Sequence, residues 1–217
     1  MKVRSIAKTG FWILLMLSAT GIALLSTRFL LPNPPHIGPG ILENFLAHKP
    51  AFLTHVVASL IALLIGPWQF VQKVRSRWPR LHRWMGRTYM VAVLLGGVSG
   101  FIIAWTSSAG PIAAGGFASL AVVWLYVTNK GYQTAKARQF PAHRRWMIRS
   151  FALTAAAITL RLGLPIAPIL GYDFQTGYII LSWVCWLFNL AIAELYLRAG
   201  RKITSDNNRP KATPLAS

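Results

Sequence analysis

The sequence has 217 residues, a length that fits one domain, and 54% of them are hydrophobic while only 12% are charged. Soluble domains average about a quarter charged residues, so this composition is typical of a membrane protein instead. The formal net charge of +19 raises nucleic-acid binding as an alternative, which the distribution of the basic residues must decide. The lone cysteine, Cys185, excludes an intramolecular disulfide, covalent haem attachment through CxxCH and a thiolate zinc site.

Six segments are apolar over the length of about 20 residues that a helix needs to cross a bilayer. In chain order, spans 1 to 6 are predicted at 10–31, 51–72, 88–107, 112–129, 148–170 and 176–197. Span 1 follows basic residues, as the apolar part of a signal peptide does, but it continues to Leu31 without a small-x-small cleavage site. We interpret it as an uncleaved span. The prediction is an all-α bundle over 1–200 and a disordered tail over 201–217.

Lysine and arginine are distributed unevenly between the two sides of this bundle. The N-terminus, the predicted loops 73–87 and 130–149 and the C-terminal tail carry all of the 23 basic residues except Arg28, Lys49 and Arg161. Cytoplasmic loops are enriched in lysine and arginine, so both termini are predicted to lie in the cytoplasm. The high net charge is then explained by the orientation of the protein in the membrane and by contact of its basic residues with anionic lipid headgroups. No nucleic-acid partner is expected.

An internal repeat connects the starts of spans 3 and 5. Residues 79–89 (PRLHRWMGRTY) and 141–151 (PAHRRWMIRSF) align at an offset of 62 and are identical at five of eleven positions. Because the two copies are two spans apart, they predict a parallel repeat in which spans 2–3 correspond to spans 4–5. Convergence of two interfacial helix starts on the same residues stays open as the alternative.

Small and polar residues form stripes on spans 2, 3 and 5, and such stripes are typical of faces where helices pack closely. The stripes comprise His55, Ser59, Ala62, Gly66, Pro67 and Gln69 on span 2, Gly96 and Gly100 on span 3, and Ser150, Thr154, Ala157, Arg161 and Pro165 on span 5. They predict an inner four-helix core of spans 2–5 with spans 1 and 6 packed outside it.

Arg161 and His55 are the two residues least expected inside spans. A charged side chain within the membrane usually faces the bundle interior and has a partner there. Arg161 is predicted either to hold an anionic group or, as the alternative, to pair with Asp173 or reach the headgroups. His55 follows Pro50 by five residues, which places it about 7 Å inside the boundary, at a depth similar to that of Arg161.

Histidines at matching depth also raise the possibility of b-type haem, whose iron takes axial imidazole ligands. His82 and His143 each precede a span and are predicted as cytoplasmic-side ligands, with Arg87 and Arg149 available for the haem propionates. His55 marks a second, outer site, whose other ligand would have to be His48 or His36. The alternative is that His82 and His143 are interfacial residues that contact lipid phosphate or backbone.

The combination of these motifs resembles the bacterial membrane-protein family catalogued as domain of unknown function 2306, over roughly residues 50–197. The resemblance rests on His55, Gly66-Pro67-x-Gln69-Phe70, Arg75, Arg77, the 81–89 and 143–150 segments, and Leu160-Arg161-Leu162. It implies a location in the bacterial inner (plasma) membrane and assigns no activity. The layout is also similar to that of two-haem transmembrane cytochromes of the ascorbate-dependent type.

Three functions are consistent with these residues. The first is electron transfer by a haem-binding membrane protein, whose redox partner or quinone the sequence does not identify. The second is a small carrier or channel for an anionic or weakly acidic solute. The third is an accessory protein that binds anionic lipid or a partner through its basic cytoplasmic face. The sequence contains no P-loop, GxGxxG, HExxH or nucleophile–base set, so whether it is an enzyme stays open.

Overall fold

A computed structural model describes residues 2–31, 39–107 and 109–207, and every regular element in these ranges is a helix. The α-helices are α1 (Lys2–Ser26), α2 (Pro39–Ala47), α3 (Lys49–Ile65), α4 (Gln72–Arg77), α5 (Pro79–Trp105), α6 (Pro111–Lys136), α7 (Phe140–Thr154), α8 (Ala156–Ile169) and α9 (Phe174–Asn207). Short 3-10 turns follow α1 at Thr27–Leu30 and α3 at Pro67–Phe70.

Six helical segments of the described chain are long and apolar enough to cross a membrane, which confirms the predicted six-span, all-α fold. They are Trp12–Leu30, Lys49–Phe70, Pro79–Trp105, Pro111–Lys136, Phe140–Ile169 and Phe174–Gly200. The chain is therefore a multi-pass helical membrane protein. Large apolar side chains that point outward, such as Leu94, Val98, Phe188 and Leu195, are at least 49% exposed and are suited to contact lipid.

The helices extend further than the apolar segments from which they were predicted. The basic stretches expected as loops are largely helical, because α4 and the first turns of α5 occupy 72–87 and the end of α6 and the start of α7 occupy most of 130–149. Long arginine and lysine side chains can reach the headgroups from a helix, so charge does not end the helix there. The tail is helical as far as Asn207, and residues 208–217 lie outside the described part.

The basic stretches lie at one end of the bundle, which we call the basic face, formed by residues 72–87 and 130–149. The described residues that connect the spans at the other end, 27–31, 39–48, 106–107, 109–110 and 170–174, form the opposite face. Each copy of the repeat starts a helix at the basic face with proline in its first turn. In each copy an arginine lies over the tryptophan three residues before it, Arg87 over Trp84 at 5.7 Å and Arg149 over Trp146 at 4.9 Å.

The main core lies where spans 2–5 meet. Its buried residues are Ala62, Tyr89, Ala92, Val93, Trp124, Val127, Phe151, Leu153 and Ala156, and span 6 adds Cys185 and Trp186. Span 1 packs outside this core against spans 2 and 5 through a cluster around Ala19, Ala23 and Leu63. Spans 1 and 6 thus flank the predicted inner bundle, although span 6 also contributes to its core.

Span 5 is interrupted near its middle, between α7 and α8, at Ala155. Asn189 of span 6 bridges the interruption: its amide nitrogen donates to the carbonyl of Ala152 at 3.2 Å, and its amide oxygen accepts from the hydroxyl of Thr159 at 2.9 Å. A carbonyl freed at membrane depth needs such a partner, because no water is available there. The interruption is thus stabilised by a specific polar pair between spans 5 and 6.

Candidate functional site

A cavity of about 760 Å³ lies within the bundle, and residues from all six spans line it. At the opposite face it is bordered by exposed residues such as Glu43, Asp173 and Gln175. Its inner end is bordered by buried residues, among them Leu63, Leu153, Ala156, Trp124 and Cys185. The cavity therefore extends from the surface of the opposite face to the core. A volume of this size matches the pockets that hold drug-sized molecules.

His55 lies in the wall of this cavity and is held by span 3. A carbonyl can only accept a hydrogen bond, so the 2.8 Å contact between Nδ1 of His55 and the carbonyl of Gly96 places a proton on Nδ1. The other ring nitrogen, Nε2, is then an acceptor, and the hydroxyl of Ser59 lies 3.5 Å from it. A Cβ atom on Gly100 would lie 2.8 Å from Nδ1, so this glycine leaves the space that the imidazole occupies.

Arg161 also lines the cavity, so its side chain faces the bundle interior, as is usual for a charged residue within a span. One Nη1–H group donates to the carbonyl of Ala157 at 3.3 Å, which uses one of the five N–H donors of a guanidinium. Arg28, from the turn that ends span 1, lines the same cavity and is close enough to Arg161 to repel it electrostatically. Across the described residues, no carboxylate lies within salt-bridge distance of either arginine, and the buried Nε of Arg28 has no hydrogen-bond partner.

Asp173 does not form the ion pair with Arg161 that the sequence left open as an alternative. Its carboxylate instead accepts from the backbone N–H and the hydroxyl of Thr176, at 2.9 and 2.7 Å, and so caps the start of α9. These two bonds hold the pKa of Asp173 below its usual value, so the carboxylate stays ionised at neutral pH. Asp173 and Glu43 are both exposed at the rim of the cavity, where water screens their charge.

Tyr178 completes the polar part of the wall. Its ring lies 5.2 Å from that of Phe117 and 5.9 Å from that of Phe174, which fixes it beside the cavity. Its hydroxyl has an electrostatic interaction with Arg161 and no hydrogen bond to another described residue. The two arginines and this hydroxyl are therefore donors without a carboxylate partner in the part of the chain that is described.

A ring of hydrogen bonds separates the cavity from the basic face. The indole N–H of Trp124 donates to the hydroxyl of Thr154 at 3.1 Å, which lies 2.6 Å from the hydroxyl of Tyr89. Tyr89 then contacts Ser150 at 2.9 Å, Ser150 contacts Thr128 at 2.7 Å, and Thr128 donates to the carbonyl of Trp124 at 2.7 Å. The hydroxyl of Thr154 also donates to the carbonyl of Ser150 at 3.1 Å. Every hydroxyl of the ring therefore has at least two hydrogen-bond partners. We call these five residues the hydroxyl ring.

His82 and His143 lie near the basic face, away from the cavity, and are close enough to interact electrostatically. Nδ1 of His143 donates to the carbonyl of Gly131 at 2.8 Å, which leaves its Nε2 lone pair available. Among the described residues, Nδ1 of His82 is buried without a hydrogen-bond partner, and the amide nitrogen of Gln69 is buried without one too. The side-chain oxygen of Gln69 faces Gly86. This histidine pair has the donor chemistry for a metal or haem iron, whereas the cavity holds one described histidine, His55.

The remaining predicted residues are dispersed. Arg149 forms a bidentate ion pair with Glu194 of span 6, and Arg87 is exposed. His48 lies just before α3, outside the lining of the cavity, and His36 lies outside the described residues. Gly66 faces the ring of Phe151, where a Cβ would approach to 2.5 Å, and Pro67 is fully buried. The predicted outer haem site therefore has no second described histidine beside its candidate ligand.

Two contributors to the cavity, Arg28 and helix α2, were missed by sequence reasoning. Arg28 was counted only as a basic residue of the opposite side, and α2 was not predicted. Asn44 of α2 donates to the carbonyl of Ile103 at 2.8 Å and accepts from Thr106, which fixes α2 over the end of span 3. Asparagines and arginines next to span ends were the available signal, because such groups need partners at the membrane boundary.

Residues 52–197 match the family model described as "Predicted membrane protein (DUF2306)". The chain belongs to this family. The match includes spans 2–6 and therefore nearly all of the cavity wall, the hydroxyl ring and both copies of the repeat, and it confirms the family resemblance inferred from the motifs. No curated protein and no solved structure matched this member of the family.

Proposed function

We propose that this DUF2306 protein binds an anionic or weakly acidic solute in the cavity and carries it across the membrane. The observation that carries the proposal is the pair of arginines, Arg161 and Arg28, in a membrane cavity without a carboxylate partner among the described residues. A charge inside a membrane protein is costly unless it has a partner. An anion between the two guanidinium groups supplies that partner.

Two features of the bundle support a carrier rather than a fixed binding site. Discontinuous helices near the middle of the membrane are common at the substrate sites of transporters, and span 5 is interrupted at Ala155, beside the cavity wall at Thr154 and Ala156. The hydroxyl ring closes the cavity toward the basic face, while exposed residues border it at the opposite face. Release to the basic face then requires spans 3, 4 and 5 to separate at the ring.

The proposal is tested by uptake into proteoliposomes of two radiolabelled, permanently charged anions, ethanesulfonate and decanesulfonate. We expect Arg161→Gln to lower uptake roughly ten- to a hundredfold, because hydrogen bonds to a charged group contribute about 1.5–3 kcal/mol. Arg161→Lys keeps the charge and should retain part of the uptake. Arg80→Gln, at an exposed position of the basic face, is the matched control and should leave uptake unchanged.

Uptake of either anion that depends on Arg161 supports the carrier. If neither anion enters faster than into protein-free liposomes, or if Arg161→Gln and Arg80→Gln reduce uptake equally, the carrier proposal is wrong. Thermal unfolding of each variant, followed by circular dichroism, distinguishes loss of binding from loss of the fold.

A second candidate function is binding of b-type haem by His82 and His143 for electron transfer. The supporting observation is that these histidines lie near each other and that His143 has its Nε2 free. Bound haem would supply one-electron redox chemistry, and the two imidazoles would hold its iron. The test is a reduced-minus-oxidised spectrum after expression with haem supplied. An α band that is lost in His82→Ala and His143→Ala but kept in His48→Ala supports it, and a featureless spectrum rejects it.

We also propose that the basic face is cytoplasmic and that the membrane is the bacterial inner membrane, because lysine and arginine are enriched on the cytoplasmic side of such proteins. The natural cysteine is buried, so single introduced cysteines report topology without background. In intact cells, a membrane-impermeant maleimide should label Gln175→Cys at the opposite face and not Ser76→Cys at the basic face. The reverse pattern would place the basic face outside.

A further inference from the structure

The cavity is polar at one end and apolar at the other, and this gradient identifies the class of solute. The donors Arg28, Arg161 and Tyr178 lie toward the opposite face. Thr154 lies seven positions before Arg161 along span 5, and Leu63 lies eight positions after His55 along span 2. The wall therefore continues roughly 10–12 Å deeper than Arg161 and His55. The deeper part is lined mainly by apolar side chains, such as Leu60, Leu63, Ala121, Leu153, Ala156 and Cys185.

Resting on the function proposed above, we propose that the solute is an anionic amphiphile with one acidic head group and an apolar chain. The head group lies between Arg161 and Arg28 and accepts from Tyr178, and the chain extends toward Cys185. A small inorganic anion would leave most of the 760 Å³ empty and would not contact the apolar end. An apolar chain fills that end and displaces water from it.

The inference is tested by calorimetric titration of the protein in nanodiscs, with the heat from empty nanodiscs subtracted. Decanesulfonate should bind at least tenfold more tightly than ethanesulfonate, because each methylene buried from water strengthens binding about fourfold. Decyltrimethylammonium has the same chain and a positive head group, and it should not bind above the lipid background.

Each titration has a result that overturns the inference. Equal affinity for ethanesulfonate and decanesulfonate shows that the apolar chain contributes nothing to binding and overturns the inference. The proposed function would then hold for a small anion. Binding of decyltrimethylammonium as tight as that of decanesulfonate rejects an anionic head group. Binding of neither sulfonate overturns the proposed function together with the inference.

The position of the chain is tested with decanesulfonate that carries a terminal diazirine, followed by peptide mapping. Cross-links at the apolar end, around Leu63, Leu153 or Cys185, that disappear with excess unlabelled decanesulfonate support the inference. Cross-links confined to lipid-facing residues such as Leu94 and Val98 overturn it. Arg161→Gln should lower the yield of cross-links at the apolar end at least tenfold. Arg161→Lys keeps the charge and should retain part of this yield, so it provides the test if Arg161→Gln folds poorly.

Discussion

The hydroxyl ring and the cavity are neighbouring polar regions of one bundle with opposite states of hydrogen bonding. In the ring, five polar groups from spans 3, 4 and 5 all have partners within the protein. In the cavity, Arg161 has one backbone carbonyl as its acceptor, and the Nε of Arg28 has none among the described residues. Trp124 and Thr154 belong to both regions, because they line the cavity and also form the ring.

This difference predicts that the hydroxyl ring contributes mainly to stability and the cavity mainly to function. A buried polar network in which every member is satisfied makes a core rigid and specifies its packing. Buried charge without a partner lowers stability and is retained where it binds something. Changes in the ring should therefore affect unfolding, and changes in the cavity should affect binding.

Arg161→Gln should give the largest contrast between the two regions. We expect binding of decanesulfonate to weaken at least tenfold while the free energy of unfolding stays equal or rises by up to about 2.5 kcal/mol, because an intramembrane charge has been removed. Titration in nanodiscs and unfolding in detergent measure the two effects on the same preparation. A loss of stability comparable to that of a ring variant would show that Arg161 stabilises the fold, and the two regions would then not differ in function.

Thr154→Val should have the opposite effect. The substitution has nearly the same shape, but it leaves the indole N–H of Trp124 without an acceptor, at an expected cost of about 1–3 kcal/mol in unfolding. Thr154→Ser keeps the hydroxyl and is the matched control, for which we expect most of the stability to remain. Equal destabilisation by both variants would attribute the loss to packing of the methyl group and not to the ring.

Gly100→Ala tests the boundary between the regions on span 3. The added Cβ would lie 2.8 Å from Nδ1 of His55, so the imidazole must move and its bond to the carbonyl of Gly96 is lost. Overpacking of this kind costs about 1–2 kcal/mol, seen as a lower unfolding temperature, and should also weaken solute binding. Gly21→Ala in span 1 is the control, because a Cβ there has nothing within 4 Å, and it should be neutral.

Glu194→Gln should have the smallest effect. It removes the charge that faces Arg149 at the basic face, outside both regions, and partly exposed ion pairs contribute at most about 1 kcal/mol. Unfolding in detergent at low and high salt measures this, and the difference from the unmodified protein should shrink at high salt. A change in anion affinity of tenfold or more would show that the basic face is coupled to the cavity.

The six spans could be predicted because hydropathy alone determines which segments enter a bilayer. The rise per residue of an α-helix likewise predicted that His55 and Arg161 lie at comparable depth. In the structure both residues line one cavity. Their partners could not be predicted from the sequence, because side chains from other spans and from the opposite face complete the wall. Arg28 and Tyr178 are adjacent to Arg161 only in the folded bundle.

Other features depend on contacts that no local pattern contains. Ser150 and Thr154 were correctly placed on one face of span 5, but their partner Tyr89 was interpreted only as a repeat position equivalent to Phe151. The interruption at Ala155 has no proline or glycine beside it, and it is stabilised from another helix by Asn189. The sequence signal for this interruption was the presence of two polar residues, Thr159 and Asn189, within two otherwise apolar spans.

The hydroxyl ring also constrains how the protein is synthesised. Spans 3 and 4 leave the ribosome before span 5, and until then the hydroxyl of Tyr89 and the indole N–H of Trp124 have no partners from residues 150–154. An incomplete chain therefore exposes polar groups of spans 3 and 4 inside the lipid, where no water can satisfy them. We expect the arrival of span 5 to remove this defect, because Ser150 and Thr154 then supply the missing partners.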